Sequence, residues 1–428
     1  MMQIPPPPPP DDHESRPLVA PTAEATPEKV RVCLGTVGNG YLQLTWEAVN
    51  PDSWDWVGLY ASVSDPDASP QTWQYVSRGN SYNSSYSAVA GYQARYLRWD
   101  ATSKAYRALV RTEPFPERVV ADAYDLTGWM RYLTDENVPL SALTLPGTHD
   151  SAAWGMWLPV VNCQGISIAH QLRDGIRFLD IRLAVYKDSK SGESRLVCMH
   201  GVIDLRLAFT EVLKDIYVFL DKHPEEVVVM SVKNEAGTDR DVFAKLLMES
   251  VDMNRGRFLL GDDVPRLGAA RGKIVILRRF SPAPTDSPIF GIDCSSNWTD
   301  NGKNITITYP SKSSPGTKMT VHVQDFYNTS DVNAKWEAVR GMLNQAKAGS
   351  SGDVYLNYTS AVGSYSPYNM AVSVNPMVRT LVTNEKPPAR IGWVPMDWPE
   401  VTPRLVYDLV TRNSLKATVV AEDGGVLV

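Results

Sequence analysis

Two histidines stand out among the chemically active residues of this chain. LTLPGTHDSAAW runs from an apolar stretch through Gly147 and Thr148 into His149 and Asp150, and CMHG sets His200 near the end of another apolar run. Between them, RFLDIRLAV holds Asp180 and Arg182 two residues apart, so strand alternation puts both side chains on one face. VVVMSVKNE ends in Lys233, and VILRRF carries Arg278 and Arg279, of which alternation sends only one inward. VHVQDFY holds Asp325 and Tyr327, and WVPMDWPE supplies Asp397. Histidine titrates near working pH, and a neighbouring carboxylate orients it for proton transfer. A lone histidine at a strand end is usually structural. His13, His170, His223 and His322 read as tail, helix start, helix end and strand interior. Two histidines beside Asp and Arg, by themselves, point to a generic acid–base enzyme.

These residues need a frame that brings distant strand ends together. From about 120 onward, short apolar strands alternate with amphipathic stretches. LRLAFTEVLKDIYVFLDKH repeats its apolar residues at helical spacing, and DRDVFAKLLMESVDMN does likewise. Strand–helix alternation over this length predicts an α/β fold, a distorted TIM-type β/α barrel with its chemistry at the C-terminal strand ends. A small all-β sandwich precedes it. Residues 30–112 contain about seven short runs rich in Val, Tyr, Trp and Leu, separated by turn residues. Trp46, Trp54, Trp56 and Trp73 read there as core aromatics. Residues 113–134 read as a linker, 135–428 as the barrel, and the Pro-rich stretch 1–29 as a disordered tail.

The order PGTHDSA, QLRDGIRFLDIR, MHG, VVVMSVKNE, VQDFY, MDWPE resembles the X-domain of bacterial-type phosphatidylinositol-specific phospholipases C, over about 135–400. WDWVGLY followed by TWQYVS resembles SKICH-type and related immunoglobulin-like modules. The first resemblance implies a phosphatidylinositol diacylglycerol-lyase giving inositol 1,2-cyclic phosphate and diacylglycerol. It implies His149 as base with Asp397 as its partner, His200 as acid positioned by Asp150, and Arg182 on the phosphate. Lys233, Arg279, Asp325 and Tyr327 would hold the inositol ring, with Asp180 supporting Arg182.

The resemblance also implies no cofactor and no metal. Calcium-dependent relatives place Asn after the first histidine and acidic residues on later strands. Here Asp150 follows His149, and Arg182 and Lys233 stand where those acids are expected. Calcium wants six to eight oxygens, and cations repel it. Asp150, Asp180 and Glu235 form the competing carboxylate reading. The alternatives are a calcium-dependent lipid phosphodiesterase and a non-catalytic barrel that binds lipid or a partner.

Among partners, an inositol lipid implies peripheral membrane contact. SAAWGMWLPVV offers Trp154 and Trp157 as interfacial residues or as packing against the sandwich. The segment 355–368 carries Tyr355, Tyr358, Tyr365 and Tyr368, for choline head groups or for packing. A protein partner for the sandwich stays open. The net charge of −6 argues against sequence-independent nucleic-acid binding. Cys33, Cys163, Cys198 and Cys294 show no C-x-x-C spacing and read as isolated thiols. With no secretory signal visible, the expected location is cytoplasmic and peripheral to membranes, and the sequence leaves secretion open.

Overall fold

The computed structural model describes residues 30–416 apart from 37–40, 49, 88–90, 113, 115–123, 157–159, 236, 286, 288 and 363–365. The expected tail over 1–29 lies outside the described residues. Internal contacts divide the chain into two units, at Ala121 and Asp122.

The N-terminal unit is all-β. Val30–Thr36, Tyr41–Ala48 and Ser81–Ser87 form one antiparallel sheet. Thr72–Tyr75, Trp56–Tyr60, Gln93–Asp100 and Ala105–Arg111 form another. Alternation sends Leu42, Leu44, Trp46, Val57, Leu59 and Tyr96 into one apolar core. Trp56 belongs to a second cluster, with Trp73 partly buried against it. Trp54 is partly buried and meets Tyr75 edge to face.

The second unit is the α/β barrel, built on one curled sheet. Its strand order is Phe258–Leu259, Lys273–Arg279, Val227–Asn234, Phe178–Lys187, Leu145–Thr148, Trp393–Met396, Val354–Asn357, Lys318–Gln324 and Ile305–Pro310. All neighbours are parallel until the last pair, which is antiparallel. Ile292–Asp293 joins Lys273–Arg279 on the edge that Phe258–Leu259 also uses. Among the described residues, no ladder joins Ile305–Pro310 to that edge, so the barrel is open there. Helices cover the sheet, and Phe209–Lys222 turns Phe209, Val212, Leu213, Ile216, Phe219 and Leu220 into the core, as its spacing predicts.

The barrel begins earlier than residue 135. Leu126–Tyr132, expected in a linker, is a 3-10 helix whose Trp129 and Met130 are fully buried in the barrel core. It is pinned by charge as well as by packing. Buried Glu226 accepts from Met130 N, and its other oxygen pairs at 2.6 Å with the buried Arg177 guanidinium. Arg177 also donates to the Leu126 and Thr127 carbonyls. A buried ion pair persists only when its remaining donors are satisfied in this way.

Candidate active site

The first histidine is placed by a tight strand end. Gly147 lies in register with Phe178 on the neighbouring strand, and a side chain at 147 would collide with the Phe178 ring and Cβ. After Thr148 the backbone turns sharply, and Asp150 takes a positive φ of 41°. Asp tolerates that region better than most residues. Met396 is in register with Thr148, so the next residues, Asp397 and His149, emerge side by side. Gln164 holds both ends, donating from Nε2 to the His149 carbonyl at 2.6 Å and to the Met396 carbonyl at 2.9 Å.

His149 Nδ1 is 2.8 Å from Asp397 Oδ1, and its Nε2 is 2.7 Å from Arg182 Nη2. A guanidinium only donates, so Nε2 must accept. The Nδ1 proton therefore points at Asp397, and the basic lone pair faces Arg182.

His200 ends the strand Ser194–His200, which pairs antiparallel with Phe178–Lys187. Its Nδ1 is 2.8 Å from Asp150 Oδ2. Each histidine thus has its own carboxylate.

Sheet register explains the cation row. Arg182 lies opposite Lys233, and Lys233 opposite Arg279. Arg279 therefore shares their face and lines the pocket. Arg278 points away, paired at 2.5 Å with Asp293 and donating to the Phe280 carbonyl.

Fully buried Asp180 sits between the cations, 3.1 Å from Arg182 Nε and 3.3 Å from Arg279 Nη1. Burial pushes its carboxyl up, but Arg182, Arg279 and His149 outweigh that and hold it well below the usual carboxylate range. Glu235 behaves likewise: burial opposes ionisation, while Arg182 and Lys233 favour it and lower the net value. Its carboxylate meets Arg182 Nη1 at 3.3 Å and also pairs with Lys233. Burial opposes the charge on Arg182, and Asp180, Asp150 and Glu235 more than compensate, so the guanidinium stays charged.

One cavity of about 410 Å³ collects His149, Arg182, His200, Lys233, Arg279, Asp325, Tyr327 and Asp397 at its walls. Asp150 and Asp180 stand behind the residues they hold.

Several lining residues escaped the sequence reading. Trp298 lies under the Arg279 guanidinium, 3.8 Å from it, and donates at 2.9 Å to Asp325. Asp300 accepts from the Tyr327 hydroxyl at 2.9 Å. Both follow a two-residue strand in an irregular segment, where no periodicity marks a face. Cys163 also lines the cavity, as does Cys294.

The rim expectations fare unevenly. Trp157 and Tyr365 lie outside the described residues. Trp154 is half-buried with its indole N–H enclosed, so it is not an open anchor. Tyr355 and Tyr358 are buried, which rules out choline contacts there: Tyr355 stacks on His322, and the Tyr358 hydroxyl meets Arg279. Tyr368 of the same segment is exposed, as are Val202, two residues past His200 and 90% exposed, and pocket-lining Val362.

Comparison with known proteins sets the frame. A family model described as PI-PLC X 1 matches residues 137–258. The chain is 31% identical over 288 residues to the 1-phosphatidylinositol phosphodiesterase of Staphylococcus aureus (strain Newman), covering 63% of this chain and 87% of that one. The chain belongs to the bacterial phosphatidylinositol-specific phospholipase C family. A second relative is the 1-phosphatidylinositol phosphodiesterase of Listeria monocytogenes, 28% identical over 64% of this chain and 81% of that one. The barrel also matches a structure of the S. aureus phosphatidylinositol-specific phospholipase C, solved in work on modulating its membrane binding. The TM-score is 0.58 at 26% identity, over 68% of this chain and 98% of that one. The matches bear out the phospholipase C barrel fold expected from the sequence.

Proposed function

We propose that this phospholipase C family member cleaves phosphatidylinositol without a metal, through His149 as base and His200 as acid. The observation that carries the reading is the contact between His149 Nε2 and Arg182 Nη2. A base lone pair and a fixed cation meet at one point of the cavity, where an attacking hydroxyl and a phosphoryl oxygen must come together. His149 removes the inositol 2-hydroxyl proton, and that oxygen attacks phosphorus. Arg182 holds the phosphoryl oxygens as charge builds on them, and two parallel N–H groups suit that task. His200 protonates the departing diacylglycerol oxygen. Asp397 and Asp150 orient the two imidazoles. Lys233, Arg279, Asp325 and Tyr327 surround the ring, with Trp298 and Asp300 fixing Asp325 and Tyr327.

The site's carboxylates do not suit calcium. Asp180 is shared by Arg182 and Arg279, and Glu235 by Arg182 and Lys233. A hard ion would have to displace those cations to gather its oxygens. Turnover should therefore be unchanged when a chelator is added to purified protein and phosphatidylinositol vesicles. Activity lost to the chelator and restored by calcium would overturn the reading.

Val202 and Val362 support a rim that touches the lipid surface, as does the interest in membrane binding of the S. aureus relative. Burying one valine is worth about 1.5–3 kcal/mol. Val202→Asp should weaken vesicle binding about tenfold or more and spare cleavage of a short soluble substrate. Equal losses on both substrates would contradict a rim role.

A further inference from the structure

Cys163 takes no part in the cycle above, yet its thiol sits between the two histidine–aspartate pairs. Its Sγ lies 3.6 Å from His200 Nδ1. One ligand atom each from Asp150, Cys163 and His200 fall within 4.8 Å of one another, and the same holds for His149, Cys163 and Asp397. The backbone fixes Cys163 on both sides: its N–H donates to the Ala153 carbonyl, and its carbonyl accepts from Trp398 N. Asp150 Oδ1 is buried with no hydrogen-bond partner among the described residues.

A tetrahedral zinc ion bound about 2.3 Å from sulfur and about 2.0 Å from nitrogen holds those two atoms about 3.5 Å apart. The spacing from Sγ to Nδ1 is already close to that. Thiolate and imidazole select soft or borderline cations, and the trio offers too few oxygens for calcium.

We propose that Cys163, His200 and Asp150 form an inhibitory site for a soft divalent cation, zinc or cadmium. On binding, the Cys163 thiol releases its proton to solvent and gives a sulfur lone pair to the ion. His200 enters as the acid of the proposed cycle, with a proton on each nitrogen; its Nδ1 proton leaves to solvent, and that nitrogen's lone pair binds the metal. An Asp150 oxygen completes the three protein ligands, and a fourth position opens to the cavity. His200 then keeps its one remaining proton on Nε2. It is no longer held on Asp150 by Nδ1–H, and it cannot return to the imidazolium that protonates a leaving group. The trio with His149 shares the same sulfur; the 3.6 Å contact of that sulfur with His200 Nδ1 favours the Asp150 side.

The test uses the purified, metal-stripped full chain, titrated with Cd²⁺ at micromolar concentration. Thiolate-to-cadmium ultraviolet absorption is read in parallel with phosphatidylinositol cleavage. The expected result is a band saturating at one equivalent, at least tenfold loss of activity over the same range, and recovery of activity with a chelator. Cys163→Ser and Cys163→Ala should both lose the band and keep metal-free activity. His200→Ala should also lose it, and Cys294→Ala should keep it. Absence of the band in the wild-type chain, its persistence in both Cys163 variants, or its loss only in Cys294→Ala would overturn the proposal. The absorption needs no lipid, so failure of this site and failure of the lipid reading are separable.

Discussion

His149→Ala should lower kcat on phosphatidylinositol about 10⁴-fold, the upper end of what one positioned proton-transfer group supplies. The variant removes the imidazole whose lone pair faces both the cavity and Arg182. His200→Ala should cost a similar factor on the natural substrate, because a diacylglycerol alkoxide leaves poorly without a proton. The two losses should separate when the leaving group changes. With an aryl inositol phosphodiester, whose phenolate departs unaided, His200→Ala should recover most of its activity and His149→Ala little. The measurement is kcat for both variants on both substrates, with thermal melting to confirm folding. Equal recovery of the two variants would contradict the division of labour.

Arg182→Lys should lower kcat about 10²–10³-fold, the range seen when one preorganised donor to a developing charge is lost. Charge alone does not replace the fork. Arg182 reaches His149, Asp180 and Glu235 through three different nitrogens, and an ammonium on a flexible stem cannot span all three. Much of the effect should fall on kcat with KM changed little, since the phosphoryl charge grows toward the transition state. A loss confined to KM would mean that Arg182 only anchors the lipid.

Much of this site was legible because strand ends announce themselves. An apolar run ending in a titratable residue marks a barrel rim, and that pattern found His149, Arg182, Lys233, Asp325 and Asp397. The pairing of His149 with Asp397, and of His200 with Asp150, was implied by resemblance and appears as two 2.8 Å contacts. Alternation left Arg278 and Arg279 undecided, because it fixes a period and not a phase. Register against Lys233 supplies the phase. Trp298, Asp300 and Cys163 stayed hidden because they lie on irregular segments, where the chain follows tertiary contacts. Leu126–Tyr132 was misplaced for a related reason. A short 3-10 helix carries too few residues to show a period, although Trp129 and Met130 are core residues. Two tyrosines of 355–368 show the converse. The composition suggests a head-group surface, but Tyr355 and Tyr358 are buried where they meet His322 and Arg279, while Tyr368 stays 43% exposed.

The central claim is that the inositol hydroxyl, and not water, attacks phosphorus under the control of His149 and His200. Phosphorus NMR of the purified chain with phosphatidylinositol vesicles and chelator follows the products in time. The account predicts that inositol 1,2-cyclic phosphate appears first, with any acyclic inositol phosphate following from it. Acyclic inositol 1-phosphate as the first product, or no cleavage until calcium is added, would contradict it.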